Sequence, residues 1–291
     1  MVIEPQKKLP KKISFIIPCY NENPKILNET IRDLNSSLKK SKWVYEIIVV
    51  NDGSTKHKYT AVKGARLINH FHNKGYSASL KTGILNSKYS WIGITDADGT
   101  YPNKDAHKLI KFCGNYDMVV GLRDRSGDPL MRRFAKFYLR HFASFLANKH
   151  IPDLNSGLRV FRKDISERFW ALFPEGFSFT STLTMACFTN RIPVKYVPIS
   201  YFKRKGKSTL KPISDTLRFF SLVTRLALYF NPMRFFVPLA LIFLTFAFAR
   251  GIRDYLLQDY FGGLTLVLFF LALQTLFFGL LSDLIIKRTQ L

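Results

Sequence analysis

The feature that most limits how this chain can fold is a pair of long apolar segments near its end. Residues 235–252 read FFVPLALIFLTFAFARGI, and residues 261–286 read FGGLTLVLFFLALQTLFFGLLSDLII. A membrane-spanning helix needs about 20 mostly apolar residues. The second segment exceeds that length, and the first is marginal because Arg250 would have to extend toward the interface. Two buried helices of a soluble core are the alternative, but little polar periodicity interrupts either segment. The sequence therefore predicts a transmembrane hairpin with its link at residues 251–260.

Basic residues on both sides of the hairpin indicate its orientation. Arg225 and Arg234 precede the first segment, and Lys287 and Arg288 follow the second. Because cytosolic flanks are enriched in Lys and Arg, both chain ends are expected in the cytosol, although two arginines in the link oppose this. The N-terminus, MVIEPQKKLPKK, has no apolar run typical of a signal peptide. Three scattered cysteines have neither disulfide-framework nor zinc-site spacing. We therefore expect an integral membrane protein whose domain in front of the hairpin faces the cytosol.

The positive charge is concentrated in front of the hairpin. The chain has 44 Lys and Arg against 20 Asp and Glu, a net charge of +24. Residues 232–291 hold 5 basic and 3 acidic residues, so they contribute only +2. A nucleic acid could explain such a basic domain, but the sequence contains no recognisable nucleic-acid-binding module. Anionic membrane lipid is therefore the expected partner of the basic surface, and no nucleic acid is expected.

Two segments before the hairpin are predicted to be amphipathic helices. Residues 129–150 place Leu130, Phe134 and Phe137 near one face, with several arginines and a lysine on its flank. Residues 212–231 repeat this pattern directly before the first apolar segment. Basic amphipathic helices of this kind suit the lipid headgroup layer. Ordinary helices that pack on a core and expose a basic side are the alternative, which periodicity does not exclude.

Short apolar runs alternate with helical patterns in the first part of the chain. Helical spacing is found over residues 25–40 and 76–87. The apolar runs cover residues 13–17, 45–50, 65–71, 91–95 and 116–121. Alternating strands and helices with buried strands predict an α/β domain with a mostly parallel sheet. In such sheets the ligand crevice lies beyond the carboxyl ends of the strands.

Acidic side chains follow two of the predicted strands. Asp52 follows the second, and Asp96 and Asp98 follow the fourth. Because alternate side chains of an extended segment point the same way, Asp96 and Asp98 offer paired hard oxygen ligands. Such ligands suit Mg²⁺ or Mn²⁺ bridging a diphosphate. A polar turn is the alternative, since Asp-Gly is common in turns, but Asp52 nearby and the basic surroundings favour the metal site.

The strand-end segments together resemble a known enzyme family. FIIPCYNE, VVNDGST, NKGYSASLKTG and DADGTYP, in this order and spacing, resemble the family 2 glycosyltransferases with a GT-A fold, a Rossmann-like α/β fold. IPDLNSGLRVFRKD, GFSFTSTLTMA and VPISYFKRKGKSTL narrow the resemblance to the polyprenyl-phosphate glycosyltransferases, which include dolichol-phosphate mannose synthases and bactoprenol glucosyltransferases. The resemblance implies a cytosolic GT-A domain over residues 1–211, a juxtamembrane interfacial helix over 212–231 and a two-helix hairpin over 232–291.

The resemblance also implies an activity and a set of site residues. The activity is inverting transfer of a hexose from a nucleotide-diphosphate sugar to a polyprenyl phosphate, undecaprenyl or dolichyl, with Mg²⁺ or Mn²⁺ as cofactor. Asp96 and Asp98 are the implied catalytic and metal-binding pair. The implied nucleotide-binding residues are Pro18, Tyr20, Glu22, Asp52, Asp96 and Ala97. The implied ligands of the acceptor phosphate are Arg123, Arg132 or Arg133, and Arg204. Arg159 in SGLRVF is expected to be either structural or catalytic.

One departure from the family bears on the donor, and other functions stay open. Mannose synthases often carry acidic residues where this chain has the Ser/Thr-rich GFSFTSTLTM, which favours a UDP-hexose over GDP-mannose. A processive polysaccharide synthase is one alternative, although no tryptophan lies in a QxxRW motif. A non-catalytic membrane-anchored scaffold is another, against which the intact acidic residues count. The sequence leaves open whether the chain forms a homo-oligomer.

Overall fold

A seven-stranded sheet forms the centre of the large domain. The computed structural model describes residues 10–124, 140–173, 178–202, 231–258 and 260–289, together with a few positions between 221 and 229. The strands are β1 (Lys12–Cys19), β2 (Val44–Asn51), β3 (Arg66–Asn69), β4 (Trp91–Ile94), β5 (Met118–Arg123), β6 (Arg159–Arg162) and β7 (Val194–Ile199). Their order across the sheet is β3-β2-β1-β4-β6-β5-β7. All five predicted strands are present, and β6 and β7 were not predicted.

One strand runs against the others. β6 is antiparallel to both of its neighbours, β4 and β5, whereas all other pairings are parallel. An antiparallel strand begins at the edge where its parallel neighbours end. The segment before β6, residues 153–158, therefore reaches the same edge as the segments that follow β4 and β5. This places a polar, glycine-containing loop beside the predicted acidic pair.

Helices cover both faces of the sheet, as the alternating pattern predicted. They are α1 (Pro24–Ser41), α2 (Tyr76–Leu85), α3 (Ala106–Ile110), α4 (Lys163–Arg168), α5 (Phe179–Thr189), α6 (Met233–Gln258) and α7 (Gly263–Thr289). Residues 140–147 are also helical. Successive strand residues point to opposite faces, so Phe15 and Ile17 pack in one core with α1, and Ile16 packs in the other with α2. The mostly parallel α/β domain is confirmed.

The start of α1 shows how local sequence fixes an element of this layer. The Asn23 side chain accepts a hydrogen bond from the Lys25 amide at 2.9 Å, and Pro24 occupies the first helical position. Both residues are favoured at helix starts, because one satisfies a free amide and the other lacks one. Leu27, Ile31 and neighbouring apolar residues at helical spacing are buried against the sheet. The helix therefore begins where the loop after β1 ends, which fixes that loop at the sheet edge.

The C-terminal helices form the predicted hairpin, with a different link. Two stretches, Met233–Leu257 and Gly263–Lys287, are long and apolar enough to span a membrane, and only 17% of each apolar window is buried. That exposure is not expected of core helices. The predicted link at residues 251–260 is wrong, because α6 continues to Gln258. Asp254 accepts hydrogen bonds from the Gly262 amide at 3.0 Å and the Thr265 hydroxyl at 2.7 Å, which closes a shorter turn.

Several predictions concern segments outside the described residues. Of the predicted amphipathic helix at residues 129–150, the part over 140–147 is helical, and the part before residue 140 lies outside the description. Of the interfacial helix predicted at residues 212–231, positions 221, 224, 225, 228 and 229 are helical, and most of the rest lies outside the described residues. The domain boundaries at residues 211 and 231 therefore stay predictions.

Candidate active site

Loops from several strands meet at the carboxyl edge of the sheet, and Asn21 joins two of them. Asn21 has a left-handed backbone, with φ of 55°, a conformation that Asn adopts more readily than most residues. Its amide donates to the Ser54 hydroxyl at 2.9 Å. Its side-chain oxygen accepts from the amides of Thr55 at 2.9 Å and Lys56 at 2.8 Å. The loops after β1 and β2 are therefore held together by one side chain.

The loops after β2 and β3 are packed backbone to backbone. Gly53 has a φ of +64°, and a Cβ there would lie 2.5 Å from the His72 carbonyl carbon. Only glycine combines that backbone conformation with that close approach. Gly53, in the Asn-Asp-Gly that follows the second predicted strand, is therefore required by the packing of the two loops as well as by the turn.

Asp52 is a buried anchor of the site. One carboxylate oxygen bonds the His70 ring nitrogen Nδ1 at 2.7 Å and accepts from the Lys74 amide at 2.9 Å. The other accepts from the Gly75 amide at 2.8 Å. His70 continues the network through Nε2 to the Thr82 hydroxyl at 2.9 Å. Asp52 therefore holds the loop after β3 and the start of α2, and its direct contact with a nucleotide stays a prediction.

The other residues expected to bind the nucleotide after β1 differ in exposure. Pro18 is buried within β1, and Glu22 is half-buried, with its backbone carbonyl accepting a hydrogen bond from the Tyr59 hydroxyl. Tyr20 is 44% exposed at the end of β1. An exposed aromatic ring can stack on a planar base. Tyr20 is therefore the residue of this group that the structure leaves most accessible to a ligand.

Asp96 and Asp98 lie beyond β4 on either side of Ala97, which is buried. Both carboxylates are half-buried. The Tyr76 hydroxyl donates to one oxygen of Asp96 at 3.0 Å. Burial, followed by the charge of Asp96, raises the pKa of Tyr76 well above its usual value, so the phenol stays a donor. One oxygen of Asp98 accepts from the Thr100 hydroxyl at 2.6 Å and from its amide at 3.1 Å.

These two carboxylates fit a divalent cation. Among the described residues, no group of three or more His, Cys, Asp or Glu side chains could hold a metal ion. The chain would therefore supply two hard oxygen ligands from Asp96 and Asp98, with the remaining positions left to diphosphate oxygens and water. Mg²⁺ is commonly held in this way, through one or two carboxylates and substrate phosphates.

The loop before β6 packs directly on Asp96. A Cβ added to Gly157 would lie 2.7 Å from a carboxylate oxygen of Asp96. The Gly157 amide donates to the Tyr101 hydroxyl at 2.6 Å, which fixes the loop beside the segment that carries the acidic pair. Gly157 therefore leaves room for the Asp96 carboxylate, and the antiparallel direction of β6 brings it there.

We predict that Gly157→Ala lowers the rate of the sugar transfer implied by the family resemblance, because it displaces Asp96, while the fold stays intact. The added methyl group must displace the carboxylate, and a misplacement of about 1 Å can cost about 100-fold in rate. The measurement is kcat and KM for the nucleotide sugar, with the melting temperature recorded alongside. Gly263→Ala is the matched control, because a Cβ at that position meets nothing within 4 Å. Equal activities of the two variants would refute the steric role of Gly157.

Arg123 follows β5 as predicted, but its guanidinium is already paired. Its Nε and Nη2 donate to the two oxygens of Asp153 at 2.8 and 2.9 Å. Its Nη1 lies 3.5 Å from the Tyr101 hydroxyl, and the group stacks over Tyr201 at 5.3 Å. Although burial opposes it, these neighbours raise the pKa of Arg123 overall. In the structure two of the three guanidinium nitrogens therefore hold Asp153, and binding of the acceptor phosphate by Arg123 stays a prediction.

Arg159 is a structural residue in the described fold. Its side chain is fully buried. It donates to the backbone carbonyls of Ser156 at 2.9 Å and Thr180 at 2.8 Å, and to the Thr184 hydroxyl at 2.9 Å. Burial lowers its pKa, but arginine stays charged in proteins. Arg159 therefore ties the loop before β6 to the Ser/Thr-rich helix α5 and places a positive charge beneath the site.

Some of the site was predicted and some was not. Asp96, Asp98, Ala97 and the residues after β1 lie at one sheet edge, as expected. Arg132, Arg133 and Arg204 lie outside the described residues. The linking residues His70 and Asp153 were missed, although both lie inside or beside the quoted motifs. Neither residue stands out within its own segment, because the partner of each lies in another loop: Asp52 for His70 and Arg123 for Asp153.

The sequence is similar to known protein families and to curated proteins. The model of "Glycosyl transferase family 2" matches residues 14–170, and that of "GtrB C-terminal hairpin" matches residues 231–287. A dolichyl-phosphate beta-glucosyltransferase of Dictyostelium discoideum is 28% identical over 232 residues, covering 71% of each chain. The human dolichyl-phosphate beta-glucosyltransferase is 27% identical over 235 residues, covering 72% of each.

A solved structure shares the fold. Glucosyl-3-phosphoglycerate synthase from Mycobacterium tuberculosis, in complex with Mn²⁺, UDP and glucosyl-3-phosphoglycerate, superposes with a TM-score of 0.57 at 14% identity. The match covers 74% of this chain and 80% of that one. At this identity the likeness concerns the fold alone.

Proposed function

Because this chain belongs to glycosyl transferase family 2 and ends in a hairpin of the GtrB type, we propose that it transfers a hexose from a nucleotide-diphosphate sugar to a polyprenyl phosphate. The observation that carries the proposal is the pair Asp96 and Asp98 at the carboxyl edge of the sheet, in a chain with two membrane-length helices. The dolichyl-phosphate beta-glucosyltransferases among its relatives support this acceptor class.

The donor is proposed to be a UDP-hexose. The relatives named as beta-glucosyltransferases and the UDP-bound structure of similar fold support this choice. The first turns of α5 add a chemical argument, because Thr180, Ser181 and Thr182 are buried and uncharged. The mannose synthases often carry acidic residues in the corresponding motif, so the start of α5 differs from theirs in charge.

The reaction needs alignment more than it needs a base. A lipid phosphate is already an anion at neutral pH, so no residue has to remove a proton from the attacking oxygen. Holding that oxygen in line with the anomeric carbon can supply roughly 7–11 kcal/mol of the barrier. A single in-line displacement inverts the anomeric centre, so an α-linked donor gives a β-linked product.

The chain's residues divide these tasks. Asp96 and Asp98 would hold Mg²⁺ or Mn²⁺, which when bound neutralises charge on the departing nucleoside diphosphate. Tyr76 orients Asp96 through its hydrogen bond, and Tyr20 offers a ring to the base. Arg132, Arg133 and Arg204 are proposed to bind the acceptor phosphate, because arginine provides forked, permanently charged donors. The reaction is proposed to occur at the cytosolic face of the membrane.

A donor screen tests the proposed function. Purified full-length protein is incubated with UDP- and GDP-sugars, one polyprenyl phosphate and Mg²⁺ or Mn²⁺, and the lipid products are separated. The expected product is a lipid carrying one hexose from a UDP-sugar. Polymeric product would favour a processive synthase instead. Absence of transfer from every donor, together with absence of metal-dependent nucleotide binding, would favour a non-catalytic scaffold.

We predict that both chain ends lie on the cytosolic side. The short turn closed by Asp254 reverses the chain, so α6 and α7 would cross the membrane in opposite directions. Basic residues flank the hairpin on both sides. A reporter fused after Leu291 and a reporter inserted within residues 259–262 should therefore report opposite sides of the membrane. Signals from the same side would contradict the hairpin, and a signal of the C-terminal reporter from the non-cytosolic side would contradict its orientation.

A further inference from the structure

A groove lies at the junction between the catalytic domain and the first membrane-length helix. It has a volume of about 790 Å³, with walls from residues 144–150 on one side and residues 233–238 on the other. Arg234 joins the two walls, because its Nη1 donates to the Phe145 carbonyl at 2.8 Å. The groove is therefore part of the contact that attaches α6 to the domain.

The wall formed by residues 144–150 has a fixed shape. The helix over residues 140–147 ends at Asn148, which has a left-handed φ of 53°. The Asn148 amide donates to the Phe145 carbonyl at 3.2 Å, and the Lys149 amide donates to the Ser144 carbonyl at 3.1 Å. This is the double hydrogen bond of a Schellman helix end. It turns the chain so that Lys149 and His150 line the groove.

The lining combines positive charge with apolar surface. Lys149, His150 and Arg234 are basic, and none of the described residues that line the groove is acidic. Phe145 is 53% exposed there, and Val237 adds aliphatic surface from α6. The chemistry suits an amphiphile that has an anionic head and a hydrocarbon tail, because the groove offers basic side chains to the head and apolar side chains to the tail.

The position of the groove indicates where that amphiphile comes from. Met233 begins the membrane-length stretch of α6, and Val237 and Pro238 lie in its first turns. The first turns of a spanning helix lie at the boundary between headgroups and acyl chains. Bilayer phospholipids are present at this depth at high concentration, so they reach the groove without leaving the membrane.

The groove is also separated from the loop before β6. The opposite face of the helix over residues 140–147 packs through Ala143, Leu146 and Ala147 against Leu154, which adjoins Asp153. One helix therefore lies between the groove and the loop that reaches Asp96. A lipid in the groove would press on the outer face of this helix, away from the reacting groups.

We propose that the groove binds one anionic phospholipid of the surrounding bilayer. The phosphodiester lies between Lys149 and Arg234, and an acyl chain packs on Phe145 and Val237. The lipid stabilises the helix over residues 140–147 against the membrane and so supports the loop behind it. This site goes beyond the proposed transfer reaction, since the phospholipid is neither donor nor acceptor.

The test is a lipid titration followed by native mass spectrometry of the full-length protein in detergent. The probes are phosphatidylglycerol and phosphatidylcholine with the same acyl chains. Lys149→Gln removes one charge from the groove without touching the contact between Arg234 and Phe145. Lys40→Gln is the matched control, because Lys40 is exposed on α1 and does not line the groove. Val237→Trp fills the groove without changing its charge.

The wild type and Lys40→Gln are expected to retain one tightly bound phosphatidylglycerol in preference to phosphatidylcholine. Lys149→Gln should weaken its apparent affinity about tenfold, as expected for one charge-assisted contact. Val237→Trp should remove this binding event. Equal affinities of Lys149→Gln and Lys40→Gln, or no preference between the two lipids, would overturn the proposal. Displacement of the phospholipid by an equimolar polyprenyl phosphate would also overturn it, because the groove would then belong to the acceptor.

Discussion

Replacing Asp96 or Asp98 by asparagine is expected to lower sugar transfer by about 100-fold or more. Each substitution keeps the shape of the side chain and removes one negative charge from the pair proposed to hold the cation. Loss of a single group that stabilises developing charge typically costs about 100- to 1,000-fold in kcat. Asparagine at position 98 keeps an oxygen that can accept from Thr100, so the turn after β4 should survive. The loss should therefore be chemical and not a loss of fold.

The measurement is the initial rate of transfer to polyprenyl phosphate over a range of Mg²⁺ and Mn²⁺ concentrations, with thermal unfolding recorded for each variant. Asp105→Asn is the matched control, because Asp105 pairs with Lys108 at 3.0 Å outside the site. It makes the same chemical change and should leave the rate close to that of the wild type. A rate of Asp96→Asn that is at least half the wild-type rate, or full activity of the wild type in excess chelator, would remove the metal from the mechanism.

Asp153→Asn is expected to destabilise the catalytic domain by about 3–5 kcal/mol, the usual cost of removing one partner of a buried ion pair. The Asp153 side chain is fully buried, and that of Arg123 is 15% exposed. The substitution leaves the guanidinium with little access to water and without its charged partner. Asp153 also accepts from the Asn155 amide at 3.1 Å, so the loop before β6 should loosen.

Chemical unfolding followed by tryptophan fluorescence measures this loss. Asp33→Asn is the control, because the Asp33–Lys104 pair is separated by 3.7 Å and its lysine is 71% exposed. Exposed pairs contribute about 0–1 kcal/mol. Arg123→Lys should fall between the wild type and Asp153→Asn, since lysine keeps the charge and loses the fork. A loss in Asp153→Asn no larger than in Asp33→Asn would contradict the role of this pair.

Local patterns explain which parts of the fold could be predicted. The strands β1, β2 and β4 are apolar runs that end in turn-forming residues, and α1 has both its apolar spacing and its cap in the sequence. β6 was missed because it is four residues long and has arginine at both ends. Its strand conformation comes from pairing with β4 and β5, which are distant in sequence. No local pattern encodes such pairing.

The same contrast between local sequence patterns and contacts with other segments explains what was predicted of the site and of the hairpin. Asp96 and Asp98 were predictable because one strand end carries both. The pairing of Arg123 with Asp153 joins two loops, so neither motif alone indicates it. The link of the hairpin was misplaced because Gly251 and the charged residues after it read as breakers of a helix. In the structure Arg250 pairs with Asp254 at 3.1 Å, one turn apart, which lets α6 continue through them.

The reversed strand β6 also sets an order for biosynthesis. β4 is made well before β6, yet β6 is the strand that covers its outer edge. While the ribosome synthesises the intervening chain, the edge of β4 keeps unpaired backbone groups, which are templates for wrong association. The centre of the sheet becomes continuous only after residues 159–162 emerge and β6 pairs with β4 and β5. The hairpin helices are synthesised later still. A nascent chain that stalls between β5 and β6 would therefore carry an open sheet edge and depend on chaperones to stay soluble.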